Sequence, residues 1–214
     1  MIKKLFLFIV FSLLLLETYQ VFTEETTITS ALAQILFSNN LHEVRANELY
    51  RSGEIVPGEL AKIVKEKGIK TVLDVRADPK NLSRKYTGEE QAVTEVGATY
   101  LSFPMLGSKE MSKESILELL DLVQKIEPPL LVHCTSGTHR SGVVAVIWLM
   151  QRDGVSFDEA MKQLSAKYGY FYFERKLKSV IQGHPTIDNV LWRYGEALKK
   201  EKISFRQWVE PGMQ

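Results

Sequence analysis

His133-Cys134-Thr135-Ser136-Gly137-Thr138-His139-Arg140-Ser141-Gly142 decides how this chain is read. The apolar run Leu130-Leu131-Val132 leads into it, and a second apolar run, Val143 to Met150, leads out. A short apolar run, a Gly-containing loop and a longer apolar run read as strand, tight turn and buried helix. Such a loop aims backbone N–H groups inward at the positive end of a helix, which makes an anion cradle. The same field lowers the pKa of a thiol placed there, so Cys134 is expected to ionise near neutral pH. Arg140, with its planar fork of donors, is suited to clamp two oxygens of a tetrahedral anion. A thiolate beside such a cradle suits displacement at phosphorus. The blander reading of a lone cysteine, a small buried apolar residue, leaves Gly137 and Arg140 at these spacings unexplained.

Working outward, strands alternate with helices. Glu48–Ser52 reads as a short strand. Pro57 sits at the first position of a helix whose apolar stripe is Leu60, Ile63 and Val64 and whose stop is Gly68. Ile69–Val75 is the next strand, dominated by β-branched residues. A charged loop runs from Arg76 to Lys85. Glu89–Val96 is a helix stopped by Gly97, and Tyr100–Phe103 a strand stopped by Pro104. Ser112 caps a helix with core positions Ile116, Leu119, Leu120, Val123 and Ile126, and Pro128-Pro129 ends it. Beyond Asp153-Gly154, Ser156 caps a helix expected to run to about Lys167, and two or three further helices reach Trp208. This alternation predicts an α/β fold with a central, mostly parallel sheet flanked by helices, plus extra C-terminal helices. The quoted loop then lies at the carboxyl end of its strand, where such sheets bind ligands.

Composition bounds the rest. The chain has 214 residues, 45% apolar and 25% charged, with a net charge of +1. It suits one packed domain with some length left over, and no global charge points to a nucleic-acid partner. One cysteine excludes an internal disulfide and a multi-cysteine zinc site. His42, His133, His139 and His184 are dispersed, so no metal is expected. Residues 1–23 read as a secretory signal peptide. Lys3 and Lys4 precede the apolar run Leu5–Leu16, which is short for a membrane span. An uncleaved N-terminal anchor is the alternative, and would be the chain's one membrane attachment. Either way the expected location is exported, periplasmic or secreted. Ala31-Leu32-Ala33 has a small-x-small pattern far past the apolar run, within a possible short helix over Ala31–Phe37.

The His-Cys-x5-Arg-Ser pattern resembles the cysteine-based protein-tyrosine phosphatase superfamily, and within it the dual-specificity group. Rhodanese-type sulfurtransferases usually have four residues where five separate Cys134 from Arg140, and low-molecular-weight phosphatases carry the motif near the N-terminus. The resemblance covers roughly Leu49–Lys167. Tyr50-Arg51-Ser52-Gly53, Gly68-Ile69-Lys70-Thr71-Val72 and Asp74-Val75-Arg76 look like the compact bacterial dual-specificity-like branch. His139-Arg140-Ser141-Gly142 with Gly107-Ser108-Lys109-Glu110 is also similar to atypical plant and fungal members that hydrolyse inositol pyrophosphates. On this resemblance, residues 24–47 are an N-terminal extension and 48–214 a phosphatase domain with a C-terminal helical extension.

The resemblance implies these roles. Cys134 attacks phosphorus and forms a cysteinyl-phosphate. Arg140 holds equatorial oxygens, and backbone N–H groups of Thr135, Ser136, Gly137, Thr138, His139 and Arg140 complete the cradle. Ser141 hydrogen-bonds the sulfur, and His133 positions the loop from beneath. Water completes the reaction without a cofactor. The general acid is left open between Asp78, Glu110 and His139, because the loop after Phe103 has no aspartate. Arg76, Lys80, Arg84 and Lys85, with Lys109 and Lys113, read as cations around the mouth. They favour a polyanionic substrate such as an inositol polyphosphate over a phosphotyrosyl protein. The aromatic run Tyr168, Tyr170, Phe171, Tyr172, Phe173 reads as core or a helix-docking surface rather than a substrate wall. A catalytically weak phosphate-binding module is the alternative function, and sulfur transfer is disfavoured by loop length.

Overall fold

The computed structural model describes residues 38–76 and 88–211. The leader, the Ala31–Phe37 segment, and Asp78, Lys80, Arg84 and Lys85 lie outside the described residues. Five strands form one sheet: β1 (His42–Arg45), β2 (Leu49–Ser52), β3 (Thr71–Asp74), β4 (Thr99–Ser102) and β5 (Leu130–His133). Their order is β1-β2-β5-β3-β4, and all neighbours are parallel except β1 and β2. The expected α/β class and mostly parallel sheet are therefore observed. β5 sits between β2 and β3, with His133 level with Ser52 on one side and Asp74 on the other. The residue after β5 is Cys134, so the loop it opens is flanked by the carboxyl ends of two more strands.

Strands β2, β3 and β5 are buried along their whole length, as expected of parallel strands covered on both faces. On one face, α1 (Pro57–Glu66) and α2 (Glu89–Glu95) bring Leu60, Ile63, Val64 and Val93 over Tyr50, Val72 and Leu131. On the other, α3 (Lys113–Lys125) and α4 (Arg140–Arg152) cover Leu49, Leu73, Leu130 and Val132. Ser112 caps α3 by accepting from the Ser115 N–H. The first ten residues of α4 are all buried, because α5 (Phe157–Ala160), α7 (Asn189–Leu198) and α8 (Phe205–Val209) share its core, to which α6 (Tyr172–Gln182) adds no buried apolar residue. Val190, Leu191, Tyr194, Phe205, Trp208 and Val209 share the α3–α4 core. The Tyr194 ring lies 5.0 Å from Phe205 and 5.7 Å from Trp208. Helices α7 and α8 are therefore part of the main core.

Three local differences from the sequence reading have physical causes. His42–Arg45, read as part of an extension, is an antiparallel edge strand with a register shift between Glu43 and Arg45. Four half-exposed, mostly polar residues carry no usable alternation. The helix capped by Ser156 stops at Ala160 and gives way to 3₁₀ turns at Met161–Gln163 and Ala166–Tyr168. Leu164 leaves helical space (φ −106, ψ 70), and the Gln163 carbonyl is taken by Arg51 at 2.5 Å. Finally, the aromatic run divides: Tyr168 and Tyr170 are buried, as expected of core, whereas Phe171, Tyr172 and Phe173 are exposed. Among the described residues no helix is long and apolar enough to cross a membrane.

Candidate active site

The loop after β5 is pinned at both edges. The Cys134 N–H donates to the Ser52 carbonyl at 3.3 Å, and the Glu54 N–H to the Thr135 carbonyl at 3.1 Å. Gly137 has φ +71, and a Cβ there would lie 2.5 Å from the Gly53 nitrogen, so only glycine fits. Beneath the loop lies Arg51, fully buried. Its Nη2 donates to the Gly137 carbonyl at 2.7 Å and to that of Thr138 at 3.1 Å. Its guanidinium stacks 4.4 Å from the Tyr168 ring centroid. In a trans peptide the C=O and the following N–H point in opposite directions. Drawing these two carbonyls toward Arg51 therefore turns the Thr138 and His139 N–H groups away from it. Burial pushes the Arg51 pKa down to about 10, so it still carries charge at neutral pH.

Cys134 is buried at the start of this loop. Burial alone would raise its pKa. The Arg140 charge, the Ser141 hydroxyl and the Ser141 and Gly137 N–H groups outweigh it, and the net shift is downward. Ser141 Oγ lies 3.5 Å from the sulfur. Arg140 Nη2 donates to Thr135 Oγ1 at 2.9 Å and Nη1 to the Met105 carbonyl at 3.4 Å, so its guanidinium spans the loop and the segment after β4. Ser136 and Thr138 hydroxyls are 2.8 Å apart. The arrangement can hold a tetrahedral oxyanion against a nucleophilic sulfur.

His139 is tied elsewhere. Its Nε2 lies 2.6 Å from Asp188 Oδ1, just before α7. Asp188 also accepts from the Tyr170 hydroxyl at 2.6 Å, the Thr186 hydroxyl at 2.7 Å and Trp192 Nε1 at 3.1 Å. Burial alone would raise the Asp188 carboxyl. His139 and these donors hold it well below the usual carboxylate range.

Below β5 lies a second buried charge cluster. Arg76 Nε and Nη2 grip Asp74 at 2.9 and 2.7 Å, and Nη1 reaches Glu54 and Glu89 at 3.2 Å each. The Tyr100 hydroxyl donates to Asp74 at 2.9 Å. Arg76 is thus buried among three carboxylates and is not a cation at the mouth, which corrects the sequence reading. The mouth reading also overlooked that Lys113 Nζ donates to the Glu210 carbonyl; Lys109 is exposed. Burial pushes Glu89 up to about 7 and His133 down to about 4, so His133 is neutral at pH 7. Its Nε2 is 3.7 Å from Glu89. Asp74, Glu89 and His133 bring ligand atoms within 4.8 Å of one another, but the Arg76 guanidinium already bonds both carboxylates, so the donor set is a poor fit for a metal.

Of the three proton-donor candidates, Asp78 lies outside the described residues. Glu110 Oε1 accepts from Asn189 and from Arg193, each at 3.2 Å, so this oxygen is already engaged by α7. His139 is committed to Asp188. Sequence reasoning missed Arg51, Glu54 and Asp188 as site residues. Arg51 could have been found as a charge inside a strand otherwise fit for burial. Asp188 has no local signal.

The sequence from residue 56 to 182 matches the family described as dual specificity phosphatase, catalytic domain, over more than half of the chain. Among curated proteins no match is found. TpbA of P. aeruginosa has a similar structure, with a TM-score of 0.51 and 20% identity over 68% of this chain and 85% of that one. A mutant form of Tk-PTP gives 0.53 and 22%, over 75% and 97%. PTPMT1, solved in complex with PI(5)P, gives 0.53 and 14%, over 80% and 97%. At these identities the likeness is one of fold.

Proposed function

Since this chain belongs to the dual-specificity phosphatase family, we propose that it hydrolyses phosphate monoesters without a metal, through a cysteinyl-phosphate on Cys134. The observation that carries this reading is the buried Cys134 thiol, its pKa lowered chiefly by Arg140 against the cost of burial.

The Cys134 thiolate attacks phosphorus as the ester oxygen leaves with a proton from the general acid. Arg140 and the loop N–H groups hold the equatorial oxygens, whose charge they stabilise most in the transition state. Water then attacks phosphorus, giving its proton to the same carboxylate, while the Ser141 hydroxyl supports the departing thiolate. His133, neutral and buried, holds the floor of the loop. We carry Asp78 forward as the acid, because Glu110 is ion-paired and His139 is held by Asp188.

The substrate is proposed to be a phosphotyrosyl protein or an inositol polyphosphate. The removal of Arg76 from the mouth takes away part of the support for the polyanion. Hydrolysis of an aryl phosphate, blocked by vanadate, by Cys134→Ser and by Arg140→Lys but not by a chelator, is the expected result. Activity that survives Cys134→Ser would reject the nucleophile, and no activity in wild type would leave a phosphate-binding module. Competition by inositol hexakisphosphate against a phosphotyrosyl peptide separates the two substrates. Export is proposed from the leader at 1–23, and the N-terminal sequence of the mature protein tests it.

A further inference from the structure

The large apolar side chains that the described residues leave exposed are gathered in one region. Six lie between Phe171 and Ile181. Trp192 packs against Tyr172 with ring centroids 4.8 Å apart and the rings tilted by 60°, and Leu106 is exposed on the loop that carries Met105, the acceptor for Arg140. Along α6 the exposed residues Phe173, Leu177, Val180 and Ile181 recur at helical spacing on one face. Phe173 is 78% and Val180 71% exposed, whereas Lys178 on the same helix is only 6% exposed. The helix is inside out: its apolar stripe meets solvent and a lysine is turned in. An apolar face of this kind marks an interaction surface.

Its composition identifies the occupant. Aromatic rings of Tyr172, Phe173 and Trp192 lie with exposed Lys167 and Lys176 close by in the chain. That combination suits the boundary between acyl chains and anionic headgroups, with rings at headgroup level and ammonium groups on phosphate. The path of the chain agrees. Asn40 Nδ2 donates to the carbonyls of Tyr168 at 3.0 Å and Ser136 at 3.1 Å, and His42 packs edge-on against Tyr168 at 4.8 Å. The described chain therefore begins beside the segment that leads into α6, and the 37 residues before Ser38 carry the basic Lys3-Lys4 pair and the apolar Leu5–Leu16 run. The face also adjoins the phosphate loop. A groove between α6 and α7, lined by Tyr172, Lys176, Val180 and Trp192, reaches Asp188, the partner of His139.

We propose that this face of α6 docks on an anionic lipid bilayer, holding the phosphate loop at headgroup level. The proposal goes beyond the phosphatase reading and stands whether or not Cys134 is the nucleophile.

Tryptophan fluorescence of the full chain tests it. Trp148 and Trp208 are buried, Trp192 is 36% exposed on the patch, and the leader has no tryptophan. Vesicles of phosphatidylcholine and phosphatidylglycerol with brominated acyl chains should quench and blue-shift the emission. Trp192→Phe should abolish the quenching, and neutral phosphatidylcholine vesicles should quench less. Phe173→Asp with Val180→Asp should abolish quenching while aryl phosphatase activity is kept, and Val180→Asp alone should weaken it. Chain that sediments with vesicles while Trp192 stays unquenched, held by its leader alone, overturns the proposal. So does quenching unaffected by the aspartates, or a dimer that covers the patch and ignores lipid. Quenching by a chain without phosphatase activity would support docking and count against the reaction.

Discussion

Arg51 donates to the Gly137 carbonyl at 2.7 Å from inside the protein. The loop that bears Cys134 is thus shaped by a guanidinium that never meets the substrate. Arg51→Lys keeps the charge but loses the fork that spans Gly137, Thr138 and Gln163. Small misplacements of reacting groups cost on the order of 10²-fold in rate. The expected outcome is a fall of about that size in kcat, with weaker vanadate binding and an unchanged far-ultraviolet spectrum. A variant as fast as wild type would show that the loop keeps its shape without Arg51.

A second prediction concerns the brace between His139 and Asp188. The folded protein holds the Asp188 carboxyl below its ordinary value of 3.8. A depressed pKa contributes stability that is present above the unfolded value and drains away as pH falls through and below it. Asp188→Asn should therefore flatten the acid side of the stability curve below about pH 4. It should also destabilise the fold by roughly 1.5–3 kcal/mol, as expected for a lost charged hydrogen bond. Denaturant melts across pH measure both; an unchanged acid limb contradicts the charge assignment.

Glu89 has the opposite sign. Its pKa is raised from 4.5 to about 7 by burial beside Asp74 and Glu54, against the pull of Arg76. A carboxyl that keeps its proton in the folded state loses stability as pH rises from the unfolded value to the folded one. Between pH 4.5 and about 7 the wild type should weaken, and Glu89→Gln should remove that slope. Parallel curves for the two proteins would locate the titration elsewhere.

The proton donor is separable by leaving group. Removing a general acid typically costs ~10²–10⁴-fold when the leaving group needs protonation. Asp78→Asn should lower kcat in that range on alkyl phosphates and far less on aryl phosphates. Glu110→Gln should leave the alkyl-to-aryl ratio unchanged and lower Tm, since it breaks the contact with Arg193. The reverse pattern would exchange the roles.

Much of the fold was written locally. Pro57, Gly68, Gly97 and Ser112 mark element ends where the structure has them, because caps and left-handed turns are chemistry of neighbours in sequence. The phosphate loop was legible for the same reason: its parts lie within ten residues of chain. What escaped depends on distant pairing. Asp188 meets His139 across 49 residues and Arg51 meets Gly137 across 86, and nothing near either residue announces the meeting. Arg76 misled because a basic residue in a charged loop reads as solvated. Its three carboxylate partners, Glu54, Asp74 and Glu89, come from different elements. α6 was read only as one of two or three further helices; its apolar spacing is that of a core helix, and only the fold shows the stripe facing out.

The brace at Asp188 has a temporal consequence. Ribosomes deliver the chain from the N-terminus, and domains tend to gain structure as they emerge. Cys134, Arg140 and the loop between them are made before residue 188 exists. A nascent polypeptide that stops short of it can therefore own every group of the proposed reaction and still lack the strut that holds His139.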